Sequence, residues 1–199
     1  MTNKSRNISI GIDPGTKNGA IAIVDDNLNI IYLAKAPYIS VEVKSRKVKP
    51  KLNKETGKYE TAYRKRTWTD FRNLREIFLP FINDNIIFTT EKVLPSAEHE
   101  KSVNPFVFGH SLGVFQGQYS LLNPIAFYEP IPAVWKKEMK VTADKNSSIE
   151  LAEELFNCNL KDYLPKRARV KDSNMAEALL LAFYGMRMYY KENNLKEVK

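Results

Sequence analysis

The sequence predicts an α/β domain with a mixed central sheet, and three observations lead to this interpretation. Three strand-like runs open the chain, at Ile8–Asp13, Gly19–Asp25 and 29–39, with short polar turns between them. Such runs form an antiparallel meander. Beyond residue 68, runs with helical spacing alternate with strand-like runs, as in α/β folds. The 199 residues, 43% of them apolar, suit one domain spanning 1–199.

The first predicted helix spans 68–81, because Leu74 and Phe78 share one face of it. Thr69 or Asp70 can cap its start, since both side chains accept hydrogen bonds from free backbone N–H groups. The later elements follow in chain order: a strand over 85–93 that carries Glu91 near its end, a helix over 106–122, a strand leading into a short helix over 125–141, an amphipathic helix over 143–156 and a terminal helix over 173–190.

The helix over 106–122 contains Gly109, Gly113 and Gly117, whose four-residue spacing places them on one side. A solvent-facing helix loses about 1 kcal/mol per glycine relative to alanine. Close packing against another helix, in this chain or in a partner, explains their presence.

The charge distribution favours a polyanionic partner. The net charge is +8 with a pI of about 9.4, and cations concentrate in an insertion at 42–66, which we interpret as an extended hairpin or mobile loop. Tyr59, Tyr63 and Trp68 lie among or beside these cations. Phosphate contacts combined with base stacking use this mixture, although a solvated loop is the alternative.

Other classes of protein are disfavoured. The single cysteine, Cys158, cannot form an internal disulfide, and two histidines are too few for a His-based zinc site. The sequence has no apolar run near the roughly 20 residues that a membrane span needs, and no secretory signal. We therefore expect a cytoplasmic protein without a membrane partner or a small-molecule cofactor.

Three carboxylates lie where the pattern predicts apolar or structural residues. Asp13 ends the first strand, Glu91 ends the strand after the first helix, and Glu177 lies in the most apolar part of the last helix. A buried acid is costly unless it is paired or bound to a cation. Because the first and fourth strands are expected to be central neighbours, their ends can meet beneath the helix. Convergent carboxylates suit Mg²⁺ or Mn²⁺, and two such ions about 4 Å apart can support phosphodiester cleavage.

Each acid also has a purely structural interpretation. The alternatives are Asp13 as a turn acid before Pro14, Glu91 as a surface partner of Lys92, Glu177 as a partner of Lys171 or Arg187, and Asp172 as the N-cap of the last helix. The joint pattern is much less compatible with chance than any one acid alone.

Several motifs, in order, resemble the RuvC-like Holliday junction resolvases, with the phage and viral members closer than the bacterial ones. These motifs are "IGIDPGTKNGAIAIV", "FTTEKV", "FGHSLGVFQGQ", "YEPIPAVWKKEMKVTADKNSSIELAEELF" and "KDSNMAEALLLAFYG". The resemblance spans roughly 6–190, apart from the basic insertion. It implies an RNase H-like fold and a homodimer that cuts two strands of a four-way DNA junction symmetrically with Mg²⁺ or Mn²⁺, with two ions per active site.

The resemblance also implies roles for individual residues. Asp13 and Glu91 correspond to metal ligands, and Glu177 to the acid of the last helix. Lys136 and Lys145 correspond to basic residues near the scissile phosphate or the DNA backbone, and Lys145 is included among the catalytic candidates. The predicted DNA-binding residues are Lys136, Lys145, Arg46, Lys47, Lys49, Arg64, Arg66, Arg167 and Arg169.

One departure from the family pattern concerns the fourth acid. The bacterial pattern has two acids three residues apart on the last helix, whereas Asn174 stands three residues before Glu177 here. Asp172 lies five residues before Glu177, about 140° away around an ideal helix, so it can serve only from the loop or the first turn. We predict Asp172 as the fourth catalytic and metal-binding residue, with Asn174 as a neutral ligand in the alternative case.

Other functions remain open on the sequence. An RNase H-like nuclease for other branched DNA or RNA substrates would use the same chemistry. A non-catalytic DNA-binding protein on the same scaffold would have lost acids, and at least three remain. An actin-like kinase would need two such domains around ATP, for which 199 residues are too few.

Overall fold

The computed structural model describes residues 6–15, 17–44, 50–92, 105–165 and 171–195. Within these ranges the chain forms nine strands: β1 (Asn7–Asp13), β2 (Ala20–Asp25), β3 (Ile30–Lys35), β4 (Tyr38–Lys44), β5 (Lys51–Leu52), β6 (Tyr59–Glu60), β7 (Tyr63–Thr69), β8 (Asn85–Thr90) and β9 (Ala126–Tyr128). The helices are α1 (Phe71–Phe78), α2 (Pro105–Leu122), α3 (Pro132–Glu138), α4 (Lys145–Phe156) and α5 (Ser173–Glu192).

Five strands form a mixed central sheet in the order β3-β2-β1-β8-β9. The strands β1, β2 and β3 pair antiparallel, whereas β8 runs parallel to both β1 and β9. The predicted α/β class, the opening meander and the central position of the first and fourth sheet strands are therefore confirmed. Because β1 and β8 are parallel, their carboxyl ends meet at one edge of the sheet.

The third predicted strand was too long, because the chain leaves the central sheet after Lys35. Residues from Tyr38 onward pair with β7 instead, in a register that runs from Tyr38 opposite Thr69 to Lys44 opposite Tyr63. The short strands β5 and β6 also pair with each other. The described residues of the basic insertion thus form an extended hairpin, one of the two predicted forms, and its strands begin before residue 42 and end after residue 66.

The predicted start of the first helix at Trp68 was wrong. Trp68 belongs to β7, where it pairs with Ile39 and its ring packs edge-on against Phe106 and His110 of α2. The helix begins at Phe71. The side chain of the preceding Asp70 caps it by accepting hydrogen bonds from the backbone N–H groups of Arg72 and Asn73. Strand pairing and packing here override the helical spacing of the sequence.

Alternation along β1 divides the core into two layers. Ile8, Ile10 and Ile12 pack with the buried side chains of α1 and α2 on one face of the sheet. Ser9 and Gly11 face α5 on the other, where the hydroxyl of Ser9 donates to the carbonyl oxygen of Ala182 at 2.6 Å. Asp13, two residues beyond Gly11, lies on this same face.

The helix α5 lies unusually close to the sheet. A Cβ on Gly11 would overlap backbone atoms of Ala178 and Ala182, and a Cβ on Gly185 would overlap the hydroxyl of Thr89. The two glycines therefore allow α5 to cross β1 and β8 at short range. This crossing carries Glu177 to the edge at which β1 and β8 end.

We predict that Gly185→Ala lowers the free energy of unfolding by roughly 1–3 kcal/mol, the range typical of overpacking. Thr89→Ala in the same chain should restore part of this loss, because it removes the hydroxyl that the new methyl group meets. Urea denaturation followed by circular dichroism measures both changes.

The matched control is Thr89→Ser with Gly185→Ala, which keeps the hydroxyl and should restore much less. Equal stability of Gly185→Ala and the wild type would contradict the close approach of α5.

Candidate active site

Three acids converge at the shared edge of β1 and β8. Asp13 is the last residue of β1, and Glu91 follows the last residue of β8, with its N–H donating to the carbonyl of Ile12 at 3.4 Å. Glu177 lies in the second turn of α5, above this edge. The structure therefore brings together the three acids that the sequence pattern singled out.

The carboxyl groups influence one another electrostatically. Burial raises the pKa of Asp13 well above its ordinary value, and the charges of Glu177 and Glu91 raise it further. Burial is also the main cause of the raised pKa of Glu91, and Glu177 adds to it. Ionising all three acids together is therefore unfavourable unless positive charge lies nearby.

Two lysines supply positive charge. Lys136 and Lys35 both lower the pKa of Asp13, against the larger effect of burial. The ammonium of Lys136 lies 2.9 Å from Oε2 of Glu177, and its charge also lowers the pKa of Glu91. Lys136, predicted to bind DNA, thus lies among the acids in this structure.

The helix α3 positions both Lys136 and its neighbour Trp135. Trp135 is fully buried, and its indole N–H donates to Oε1 of Glu91 at 3.0 Å. The backbone N–H of Lys92 donates to the carbonyl of Pro130 at 2.9 Å, which ties the end of β8 to the segment before α3. Adjacent residues of one short helix therefore contact acids from two different elements.

Asp172 is the N-cap of α5. Its Oδ1 accepts the N–H groups of Asn174 and Met175 at 3.0 and 3.3 Å, and its Oδ2 forms an ion pair with Lys35. The structural alternative for Asp172 is thus present, and its role as a fourth metal ligand stays a prediction. The side-chain amide of Asn174 donates to the carbonyl of Asn18 at 2.6 Å, in the turn after β1.

Lys35 is a site residue that the sequence analysis missed. It is the last residue of β3, in register with Ala20, which is itself in register with Asp13. Leu33 packs in the core beneath α5, so Lys35, two residues further, lies on the same face as Asp13. Lys35 could have been identified from the sequence by assigning a strand register to the predicted meander, because that register aligns Lys35 with Ala20 and Ala20 with Asp13.

The other predicted partners and cations have the following positions. Lys171 pairs with Glu153 at 2.5 Å, whereas Glu177 pairs with Lys136. Lys145 is exposed at the first position of α4. Arg64 and Arg66 lie on β7 of the hairpin, Arg64 exposed and Arg66 half-buried. Arg46, Lys47, Lys49, Arg167 and Arg169 lie outside the described residues.

The acids do not form a closed metal-binding group in this structure. Among the described residues, no set of three or more histidine, cysteine, aspartate or glutamate side chains is close enough together to hold a metal ion. The site therefore consists of neighbouring acids with a lysine ammonium beside them.

The described residues contain no helix that is long and apolar enough to cross a membrane.

We predict that Asp13→Asn stabilises the protein at neutral and alkaline pH in EDTA. The pKa of Asp13 is higher in the folded than in the unfolded chain, so its ionisation lowers the free energy of unfolding as the pH rises between the two values. The asparagine variant has no such loss. Urea denaturation from pH 4 to pH 8 should show a difference that grows with pH.

Asp26→Asn, at an exposed turn position, is the matched control and should change the free energy of unfolding at pH 8 much less than Asp13→Asn. An Asp13→Asn protein that is less stable than the wild type at pH 8 would contradict the raised pKa.

Comparison with solved structures identifies the fold. The chain is similar to Thermus thermophilus RuvC in complex with a Holliday junction substrate, with a TM-score of 0.53, 13% identity and coverage of 96% of this chain and 98% of that one. A second Thermus thermophilus RuvC structure gives a TM-score of 0.50, 12% identity and the same coverage. No family model and no curated protein matches the sequence. The chain has the RNase H-like fold of RuvC, as the sequence predicted.

Proposed function

We propose that the protein is a metal-dependent endonuclease that resolves four-way DNA junctions by paired, symmetric phosphodiester hydrolysis. The observation that carries this proposal is the convergence of Asp13, Glu91 and Glu177 at the carboxyl edge of β1 and β8. The fold is that of RuvC, and one of the similar structures is a complex with a Holliday junction. The sequence motifs, which resemble those of the phage and viral resolvases, support the same substrate.

The donor set fits a hard divalent cation. It consists of carboxylate oxygens, which Mg²⁺ and Mn²⁺ prefer. Burial and then the charges of Glu177 and Glu91 raise the pKa of Asp13, and a bound cation would stabilise its ionised form. Asp13, Glu91 and Glu177 would hold the metal after their side chains move closer together than they lie in this structure. We retain Asp172 as a fourth candidate, which must first leave Lys35. Bound ions, two in our proposal, would activate water and stabilise the leaving oxygen.

Residues of the chain itself would prepare the site for this chemistry. The indole of Trp135, which donates to one oxygen of Glu91, would orient this carboxylate toward the site. Lys136 and Lys145 would contact the scissile phosphate or the DNA backbone. The close contact of α5 with β1 would hold the backbone positions that carry Glu177 and Asp13 near each other.

The hairpin is the proposed arm for binding DNA. Arg64 and Arg66 pair across the strands with Val43 and Val41, and the aromatic rings of Tyr59 and Tyr63 are exposed near them. Cations next to exposed rings suit phosphate contacts and base stacking. Arg46, Lys47 and Lys49 in the same insertion, and Arg167 and Arg169 before α5, would add further phosphate contacts.

The helix α2 is the proposed homodimer interface. Outside the backbone of α2 itself, a Cβ on Gly109, Gly113 or Gly117 would meet no atom of the described residues within 4 Å. Phe106 and Leu121 are exposed on the same side of the helix. This face thus combines small residues with apolar ones and has no Asp, Glu, Lys or Arg. A two-fold dimer would match the two-fold symmetry of a four-way junction.

The decisive experiment compares cleavage of a labelled four-way junction with cleavage of a linear duplex, a flap and an RNA–DNA hybrid. We expect paired symmetric nicks in the junction alone, in Mg²⁺ or Mn²⁺ and not in EDTA. The Asp13→Asn variant should bind the junction but cut it at least 10–100-fold more slowly, because loss of a residue that only orients a metal ligand already has an effect of that size. The Asp26→Asn variant, changed at an exposed position, should cut at the normal rate.

Other outcomes of this assay would favour the alternative functions. Equal cutting of the flap or the hybrid would support an RNase H-like nuclease with a broader substrate range. Tight junction binding by the wild type without cutting in either metal would support a non-catalytic DNA-binding protein.

We predict that Gly117→Leu weakens the dimer by tenfold or more in dissociation constant, about 1.4 kcal/mol. The leucine fits the isolated chain, because the space beside Gly117 is open, but it would separate two helices packed face to face. Analytical ultracentrifugation at micromolar concentration measures the change.

Glu154→Leu adds the same side chain at an exposed position of α4 and should leave association unchanged. A wild-type protein that sediments as a monomer at this concentration would contradict the dimer.

A further inference from the structure

The position of Lys136 distinguishes it from an ordinary surface cation. Its ammonium lies 2.9 Å from Glu177, its side chain is 30% exposed, and the carboxylate side chain is 18% exposed. The same ammonium acts electrostatically on Asp13 and on Glu91. One positive charge therefore serves three carboxylates that come from β1, from the end of β8 and from α5.

The backbone of Lys136 is fixed, whereas its side chain can move. The preceding Trp135 is fully buried in the core beneath α5 and bonded to Glu91, so α3 cannot shift without disturbing that core. The lysine side chain has four rotatable bonds and reaches solvent, and its ammonium lies 5.2 Å from the centre of the Trp135 ring. The ammonium can therefore bind Glu177 or leave it while the backbone of α3 stays in place.

The other two ion pairs around α5 serve different purposes. Lys35 holds Asp172 at the start of α5, and Lys171 holds Glu153 of α4. Each of these pairs joins two structural elements, and neither carboxylate is one of the three convergent acids. Lys136 is thus the described lysine that makes a direct ion pair with one of the three convergent acids.

We propose that the Lys136 ammonium is a resident counterion of the acid group, which leaves Glu177 when a divalent cation binds there. This inference rests on the proposed metal-dependent function. The ammonium offsets the repulsion among the carboxylates in the metal-free protein, and it therefore competes with the metal for Glu177. Once released, it is available to the phosphate of the substrate at the same edge.

The proposal makes an unusual prediction, namely that removing Lys136 tightens metal binding. We expect Lys136→Met to lower the dissociation constant for Mn²⁺ about tenfold without DNA, since a cation that competes at short range is removed. Calorimetric titration of the full chain with Mn²⁺ measures the constant. Cleavage by the same variant should fall, because the ammonium is also lost from the substrate phosphate.

Lys137→Met is the matched control, because Lys137 is the exposed neighbour of Lys136 and its loss changes the net charge equally. We expect its dissociation constant to stay within about twofold of the wild type. Lys136→Gln, which removes the charge but keeps a donor, guards against an unfolded methionine variant. Circular dichroism in EDTA establishes that each variant is folded.

The outcomes separate this proposal from the proposed function. Unchanged or weaker Mn²⁺ binding by folded Lys136→Met and Lys136→Gln, with the wild type binding normally, would overturn the counterion role alone. Failure of the wild type and all variants to bind millimolar Mn²⁺ would overturn the metal-dependent function and the counterion role with it. Binding by the Lys136 variants that exceeds both the wild type and Lys137→Met would support the proposal.

Discussion

The close contact between α5 and β1 is the constraint on which the candidate site depends. Gly11 leaves no side chain between the strand and the helix, so the backbones pack directly. The bond from Ser9 to the carbonyl of Ala182 fixes the helix along the strand. Asp13 follows two residues after Gly11, and Glu177 directly precedes Ala178, so this contact brings the backbones that carry the two acids close together.

The acid group also explains why lysines occur at this edge of the sheet. Desolvated carboxylates near one another are unfavourable when all are ionised. Lys136 reaches the group from α3, and Lys35 reaches it across β2 from the edge strand β3. Part of the cost of assembling the acids is thus offset within the chain. The two lysines lower the pKa of Asp13 by less than burial and the neighbouring acids raise it.

The sequence predicted the sheet and the three acids because both depend on local patterns. These patterns are apolar alternation, short turns, a carboxylate at the end of each of two strands and one carboxylate within an apolar helix. It missed Lys35, whose role depends on the register of three strands, and it gave no role to the indole of Trp135, which contacts Glu91 across 44 residues. The helix start at Trp68 was wrong because that residue pairs with Ile39 and packs on α2, and neither contact is local.

The helix α2, which carries the proposed dimer face, also contacts the base of the hairpin. The ring of Trp68 packs against Phe106 and His110, and the hydroxyls of Thr69 and Ser111 lie 2.7 Å apart in a buried position. The base of the hairpin is therefore attached to α2 itself. If two copies of α2 pack together in the proposed dimer, the attachment of each hairpin to its own α2 would place the two hairpins symmetrically about the two-fold axis. Dimer formation would then also set the distance between the two hairpins.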